Sequence, residues 1–250
     1  MSQPKVKKLH HLPNADKKNH EAWSEERKLI NFPHPYRALI SGLPNCGKTT
    51  SVLNLLVGAK PIFDNIFIIH PECFESNISE ADESINKDII IPECVINEYS
   101  GVKFTGALRY FPSPTYFDNV KDKKNLLIID DVELRNYVKA KPYRTTRINK
   151  LFSYTSTHRS LSIIITAQDI YSQLLPCIYR LCNVFILYKF KDANQIGLIA
   201  RNIGIKKEKL ESLFKLCKSK HDSICIDNTA DTPAPYRFNI INQVIFNAEH

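Results

Sequence analysis

No apolar run in this chain approaches the roughly 18 to 20 residues that a bilayer crossing requires. Stretches such as Leu126 to Ile129 and Ser162 to Thr166 stop far short, so neither a transmembrane helix nor a membrane partner is expected. Lys5, Lys7 and Lys8 have no apolar segment behind them, so a secretory signal is not expected either and an intracellular protein is. The seven cysteines include no Cys-x-x-Cys pair and no histidine partners at zinc-finger spacing. They read as reduced thiols that fill the core, not as a zinc site or a disulfide framework. No internal repeat and no clean second domain are visible.

What is present points to one sizeable core. Hydrophobic residues make up 43% and charged residues 24% of 250 positions, which excludes collagen-like, mucin-like and wholly disordered chains. Lys plus Arg number 34 against 26 Asp plus Glu, a net charge of +8 that suits a polyanionic partner. Residues 1–30 are rich in Lys, His, Asn and Glu and read as a basic, flexible or loosely docked arm, with Trp23 as its tether.

From Tyr36 onward, short apolar runs alternate with helical patterns. The runs are Tyr36 to Ser41, Asn65 to Ile69, Asn125 to Ile129, Leu161 to Thr166 and Asn183 to Tyr188. Four to six residues rich in Ile, Val and Phe, with helices between, predict buried parallel strands in an α/β core with helices on both faces. Helices are expected at Lys48 to Val57, Ala193 to Ile203 and Lys206 to Leu216. The proline-bearing segment from Glu72 to Phe117 predicts irregular connections and one more strand near Ile89 to Ile91. The predicted organisation is an arm over 1–30, a nucleotide-hydrolysing domain over 31–222, and a β-rich tail over 223–250 on that same domain, turning around Asp231 to Pro235.

Gly42-Leu43-Pro44-Asn45-Cys46-Gly47-Lys48-Thr49-Thr50 matches G-x-x-x-x-G-K-[ST] between an apolar run and a helical one. Such a loop turns successive backbone N–H groups around nucleotide phosphates, and the helix behind it adds its positive end. Lys48 is placed to reach the β- and γ-phosphates and Thr49 to hold Mg²⁺. Mg²⁺ on a triphosphate also needs a carboxylate from a neighbouring strand, and Asp130, ending Asn125 to Ile129, supplies it. Asp131 is placed to orient or deprotonate the attacking water, and Gln168, after Ile163 to Ala167, to sense the γ-phosphate or that water.

Hydrolysis of this kind gains rate from a guanidinium on the developing charge. The candidates are Arg144, Arg147, Arg159, Arg180 and Arg201. Lys139 to Arg159 contains six basic residues and no acidic one. That run reads as the lining of a nucleic-acid channel, as the source of an arginine for a neighbouring subunit, or as an ordinary solvated face.

Taken in order, Gly42 to Thr50, Leu126 to Asp131, His158 to Gln168 and Ile178 to Tyr188 resemble the FtsK-HerA superfamily of DNA-pumping ATPases, particularly the genome-packaging ATPases of large double-stranded DNA viruses, virophages and related icosahedral viruses. The resemblance spans Tyr36 to Gly204. It implies a RecA-like P-loop NTPase core, ATP and Mg²⁺ as cofactors and a homo-oligomeric ring. It also implies a motor that drives double-stranded DNA into a preformed capsid, with a capsid or portal-vertex protein as partner. The setting would be the host-cell cytoplasm, a viral factory or the virion. Within the resemblance, Arg159 matches the arginine that acts across a subunit boundary, and Gln168 the sensor. The superfamily usually carries Asp-Glu where this chain has Asp130-Asp131, which leaves the activating carboxylate open between Asp131 and Glu133. Two alternatives stand beside the motor: a P-loop phosphotransferase on a small molecule, and a capsid-assembly protein switched by ATP.

Overall fold

The computed structural model describes residues 20–75, 90–190 and 193–246. Its centre is a nine-stranded sheet in the order β3-β2-β4-β5-β1-β6-β7-β8-β9. The strands are β1 (Arg37–Ser41), β2 (Asn65–Ile69), β3 (Gly106–Ala107), β4 (Asn125–Ile129), β5 (Leu161–Ala167), β6 (Val184–Tyr188), β7 (Ser223–Asp227), β8 (Tyr236–Phe238) and β9 (Asn242–Gln243). β1 to β6 run parallel, and β7 to β9 are added antiparallel beyond β6. The five apolar runs are thus five parallel strands, as the sequence predicts.

They are continuous apolar runs because both faces are covered. In β4, Leu127 and Ile129 enter one core with Leu39, Ile163, Ile165, Phe185 and Leu187. Leu126 and Ile128 enter the opposite core with Ala38, Ile40, Ile164, Val184 and Ile186. Each fully buried Leu or Ile stabilises by roughly 2 kcal/mol. Four of them in β4 outweigh the few kcal/mol needed to hold one buried carboxylate, Asp130, at the strand's end.

The helices divide between the faces. Helix α1 (Lys48–Gly58) puts Val52 and Leu55 into the second core, and α2 (Glu93–Glu98) adds Val95. On the first face lie α3 (Leu134–Ala140), α4 (Tyr143–Lys150), a π-turn (Leu151–Thr155) that leads into α5 (Ser156–His158), α6 (Ile170–Gln173) and α7 (Pro176–Leu181). Helices α8 (Ala193–Ile203) and α9 (Lys207–Phe214) complete that face, burying Ile199, Ala200, Ile203, Leu210, Leu213 and Phe214 at helical spacing.

No strand forms at Ile90 or Ile91, where one is expected; Ile89 lies outside the described residues. Ile90 is 95% exposed, and the edge position beside β2 is taken by the two-residue β3. Residues 20–30 of the predicted arm are docked. Trp23 donates its indole N–H to Thr229 Oγ1 at 2.8 Å and packs edge-on against Phe32, while Glu21 pairs with Arg27 and Lys124. The tail joins the same sheet, with its turn between β7 and β8.

β5 is inserted between β1 and β4. After β1 the chain passes to α1 on one face; after β5 it passes to α6 and α7 on the other. The crevice at the carboxyl ends of β1 and β5 is therefore the topological switch point, where open α/β sheets bind ligands. Among the described residues, no helix is long and apolar enough to cross a membrane.

Candidate active site at the strand ends

The loop from Gly42 to Thr50 leaves β1 at that crevice. Gly42 has no room for a side chain: a Cβ there would stand 2.5 Å from the Tyr188 Cβ and 2.7 Å from the Cys46 Sγ. Gly47 turns at φ 113°, in the left-handed region that favours glycine. Its carbonyl accepts from Ser51 N–H at 2.9 Å and from the Tyr188 hydroxyl at 2.8 Å, and that hydroxyl also pairs with Ser51 Oγ at 2.7 Å. Helix α1 starts with no side-chain cap, so its first N–H groups face the loop's hollow. The Lys48 ammonium lies over this hollow, donating to the carbonyls of Gly42 at 2.9 Å and Leu43 at 3.2 Å. Glycine turns, an uncapped helix start and a lysine together form a cradle for phosphate oxygens.

Asp130 is buried at the end of β4, and loss of solvent raises its pKa. Thr166 of β5 donates to Asp130 Oδ1 at 2.5 Å and accepts from Asp131 N–H at 3.0 Å, so one hydroxyl ties two strand ends together. Thr49 donates to Glu98 Oε1 at 3.0 Å. His70, the residue after β2, brings Nε2 to 3.4 Å from Glu98 Oε2 and 3.9 Å from Asp130 Oδ2. Tyr99 is fully buried with its hydroxyl beside Asp130, and the loss of solvent and that carboxylate's charge both raise the phenol's pKa. Thr49 and Asp130 thus offer hard oxygen donors of the kind that suits Mg²⁺, and Glu98 is bonded to the first of them.

Asp131 and Gln168 are also brought together. Gln168 Nε2 donates to Asp131 Oδ2 at 2.5 Å, and Gln173 Nε2 donates to Asp131 Oδ1 at 3.0 Å. The Gln173 carbonyl then accepts from the backbone N–H groups of Gln168, at 2.7 Å, and Asp169, at 2.9 Å. Asp131 adopts φ 49°, which turns its side chain off the strand line and toward this pair. Glu133, by contrast, is exposed at the start of α3 and has no hydrogen bond or ion pair to these groups.

Arg159 lies at the other end of β5. It pairs with Asp118, stacks 5.5 Å over the Tyr154 ring and donates to His158 O. Six residue steps separate Leu161 from Ala167, which at about 3.3 Å per step puts roughly 20 Å between Arg159 and this chain's own phosphate loop. Arg144, placed in a candidate nucleic-acid face by its sequence neighbours, is completely buried: its guanidinium stacks 4.0 Å from the Tyr137 ring centroid and donates to Tyr137 O. It is a core residue and cannot line a channel or reach a phosphate. Arg147 packs on Tyr143, and Arg180 and Arg201 are exposed on α7 and α8.

Sequence reasoning passed over Glu98, His70, Gln173 and Tyr188. His70 carried a signal, because a polar residue directly after an apolar strand sits on the binding edge. Glu98 carried none.

No protein-family model and no curated protein sequence matches this chain. Solved structures do match. The DNA-packaging ATPase B204 from Sulfolobus turreted icosahedral virus is 16% identical, over 82% of this chain and 97% of that one, with a TM-score of 0.50. The genome-packaging NTPase B204 from Sulfolobus turreted icosahedral virus 2, in complex with AMPPCP, is 15% identical over 85% and 99%, also at 0.50. This chain shares the fold of these genome-packaging ATPases. The conjugation coupling protein TcpA of pCW3, in a monomer form with ATPγS, shares that fold at 12% identity, over 87% of this chain and 69% of that one, with a TM-score of 0.50.

Proposed function

We propose that the protein is an ATPase that moves double-stranded DNA, working as a homo-oligomeric ring that packages a viral genome into a preformed capsid. Lys48 and the N–H groups of the loop bind the β- and γ-phosphates of ATP. Thr49 and Asp130 hold Mg²⁺, which supplies charge neutralisation on the phosphates when bound. Asp131, fixed by Gln168 and Gln173, orients the attacking water and accepts its proton. Gln168 reports the state of the γ-phosphate to β5. The nucleoside end extends toward the open cleft lined by Thr50, Asn54, Tyr188, His221 and Asn239.

The observation that carries the ring is the position of Arg159. Roughly 20 Å from its own loop, it is out of reach of its own nucleotide, and a neighbouring copy's site is the one it can serve. The net charge of +8 supports a polyanionic track, and the fold shared with DNA-packaging and conjugation ATPases supports the motor.

The test is ATP hydrolysis measured across protein concentrations, with and without double-stranded DNA, using Lys48→Ala as the blank. Turnover per chain that rises steeply with concentration and is stimulated by DNA is expected. Turnover indifferent to both would replace the motor with a monomeric phosphotransferase. Stimulation by capsid protein alone would replace it with an assembly switch.

A further inference from the structure

Glu98 comes from α2, about 50 residues from the phosphate loop in sequence, and both of its oxygens are engaged at the site. Oε1 accepts the Thr49 hydroxyl proton at 3.0 Å, and Oε2 lies 3.4 Å from His70 Nε2. The backbone N–H of Glu72 donates to His70 Nδ1 at 3.2 Å, so Nδ1 is unprotonated and Nε2 carries the hydrogen. His70, Glu98 and Asp130 have the spacing of a metal-ligand cluster, but a protonated Nε2 is a donor and not a ligand. The Nε2–H lies nearer to Glu98 Oε2, at 3.4 Å, than to Asp130 Oδ2, at 3.9 Å. The Thr49 hydroxyl has one proton, and it is given to Glu98, so the oxygen's lone pairs point away from Glu98 and toward the cradle.

We infer that Glu98 is a positioning residue for the divalent cation: by accepting the Thr49 hydroxyl proton it aims the Thr49 oxygen at the metal. This rests on the reading of Thr49 and Asp130 as the cation's protein ligands. Partners of metal ligands that act in this way typically change metal affinity or activity by roughly 10- to 100-fold when removed.

The experiment titrates a fluorescent ATP analogue into the full chain, first in EDTA and then at increasing Mg²⁺. Glu98→Ala is expected to leave affinity in EDTA within about twofold of wild type and to raise half-saturating Mg²⁺ about tenfold or more. Glu98→Gln, which keeps the shape and one acceptor oxygen, falls between. Because Glu98 is on the surface side of the site, the Gln variant decides the matter if the Ala variant fails to fold. An unchanged Mg²⁺ requirement in both variants overturns the inference, and so does an equal loss of affinity in EDTA, which marks a merely structural role. If wild type binds no analogue with or without Mg²⁺, the nucleotide reading itself falls, and this inference with it.

Discussion

The two ends of the parallel strands are built differently. At the carboxyl ends, Asp130, Asp131 and Glu98 gather like charges around a glycine loop and a lysine. At the amino ends the polar groups are mostly neutral and bond one another: His34 pairs with Ser162 at 2.7 Å and Ser160 at 2.9 Å, Asn65 with Asn125, and Asn183 with the Arg37 N–H. Asn125 also donates to the carbonyls of Val120 and Lys123. A network whose members satisfy one another costs little to bury, whereas like charges at one rim are tolerated only if a cation is to arrive there. β5 belongs to both ends, with Arg159 before it and Gln168 after it, so chemistry and anchorage meet on one strand.

The largest effect is expected at Arg159, the one group at the amino end proposed to act in catalysis. Arg159→Ala is expected to lower turnover by about 10³-fold or more while nucleotide affinity stays within about twofold. Mixing it with Asp131→Asn subunits restores part of the activity if the arginine serves a neighbour, and no rescue means it acts otherwise. Rates of mixed and unmixed preparations at equal total protein check this.

The anchoring end is tested by pH. Burial holds the His34 imidazole down at about 4. Between about pH 4 and 6.5 the unfolded chain binds a proton that the folded chain refuses, so stability falls as pH drops through that window and is complete above it. The full difference is about 3 kcal/mol. Urea unfolding at pH 4.5 and pH 7 should show the slope in wild type and a flatter one in His34→Gln; an equal slope in both places the titration elsewhere.

A smaller effect is expected at Gln173, which lies at the carboxyl end but only supports it. Gln173→Leu removes one donor from Asp131 and an acceptor from two backbone N–H groups. It should cost about 1 to 3 kcal/mol in stability, with turnover falling roughly tenfold, read by thermal melts and steady-state rates. Unaltered turnover would mean Gln168 alone holds Asp131.

The strands were legible because β-branched residues buried on both faces leave unbroken apolar runs. Their order was not: nothing in Leu161 to Ala167 tells that it slides between β1 and β4. The contiguous loop and Asp130 could be read from local sequence, since backbone turns and strand ends are local. Glu98 could not, because an irregular stretch and a separate helix carry it to Thr49. Arg144 misled for a physical reason. A basic run suggests a wet face, yet Tyr137, seven residues earlier, offers a ring and a carbonyl that take the guanidinium into the core.

Both margins of the sheet end in strands of two residues, Gly106–Ala107 on one side and Asn242–Gln243 on the other. Strands this short present too few free N–H and C=O groups to template another chain. The long apolar β6, which would be an adhesive margin if the tail were cut before Ser223, is instead closed by β7. Among the described residues, the two edges thus offer little for extending the sheet from one molecule to the next. A ring of the proposed kind would then draw its contacts from helices and loops, leaving each sheet a closed unit.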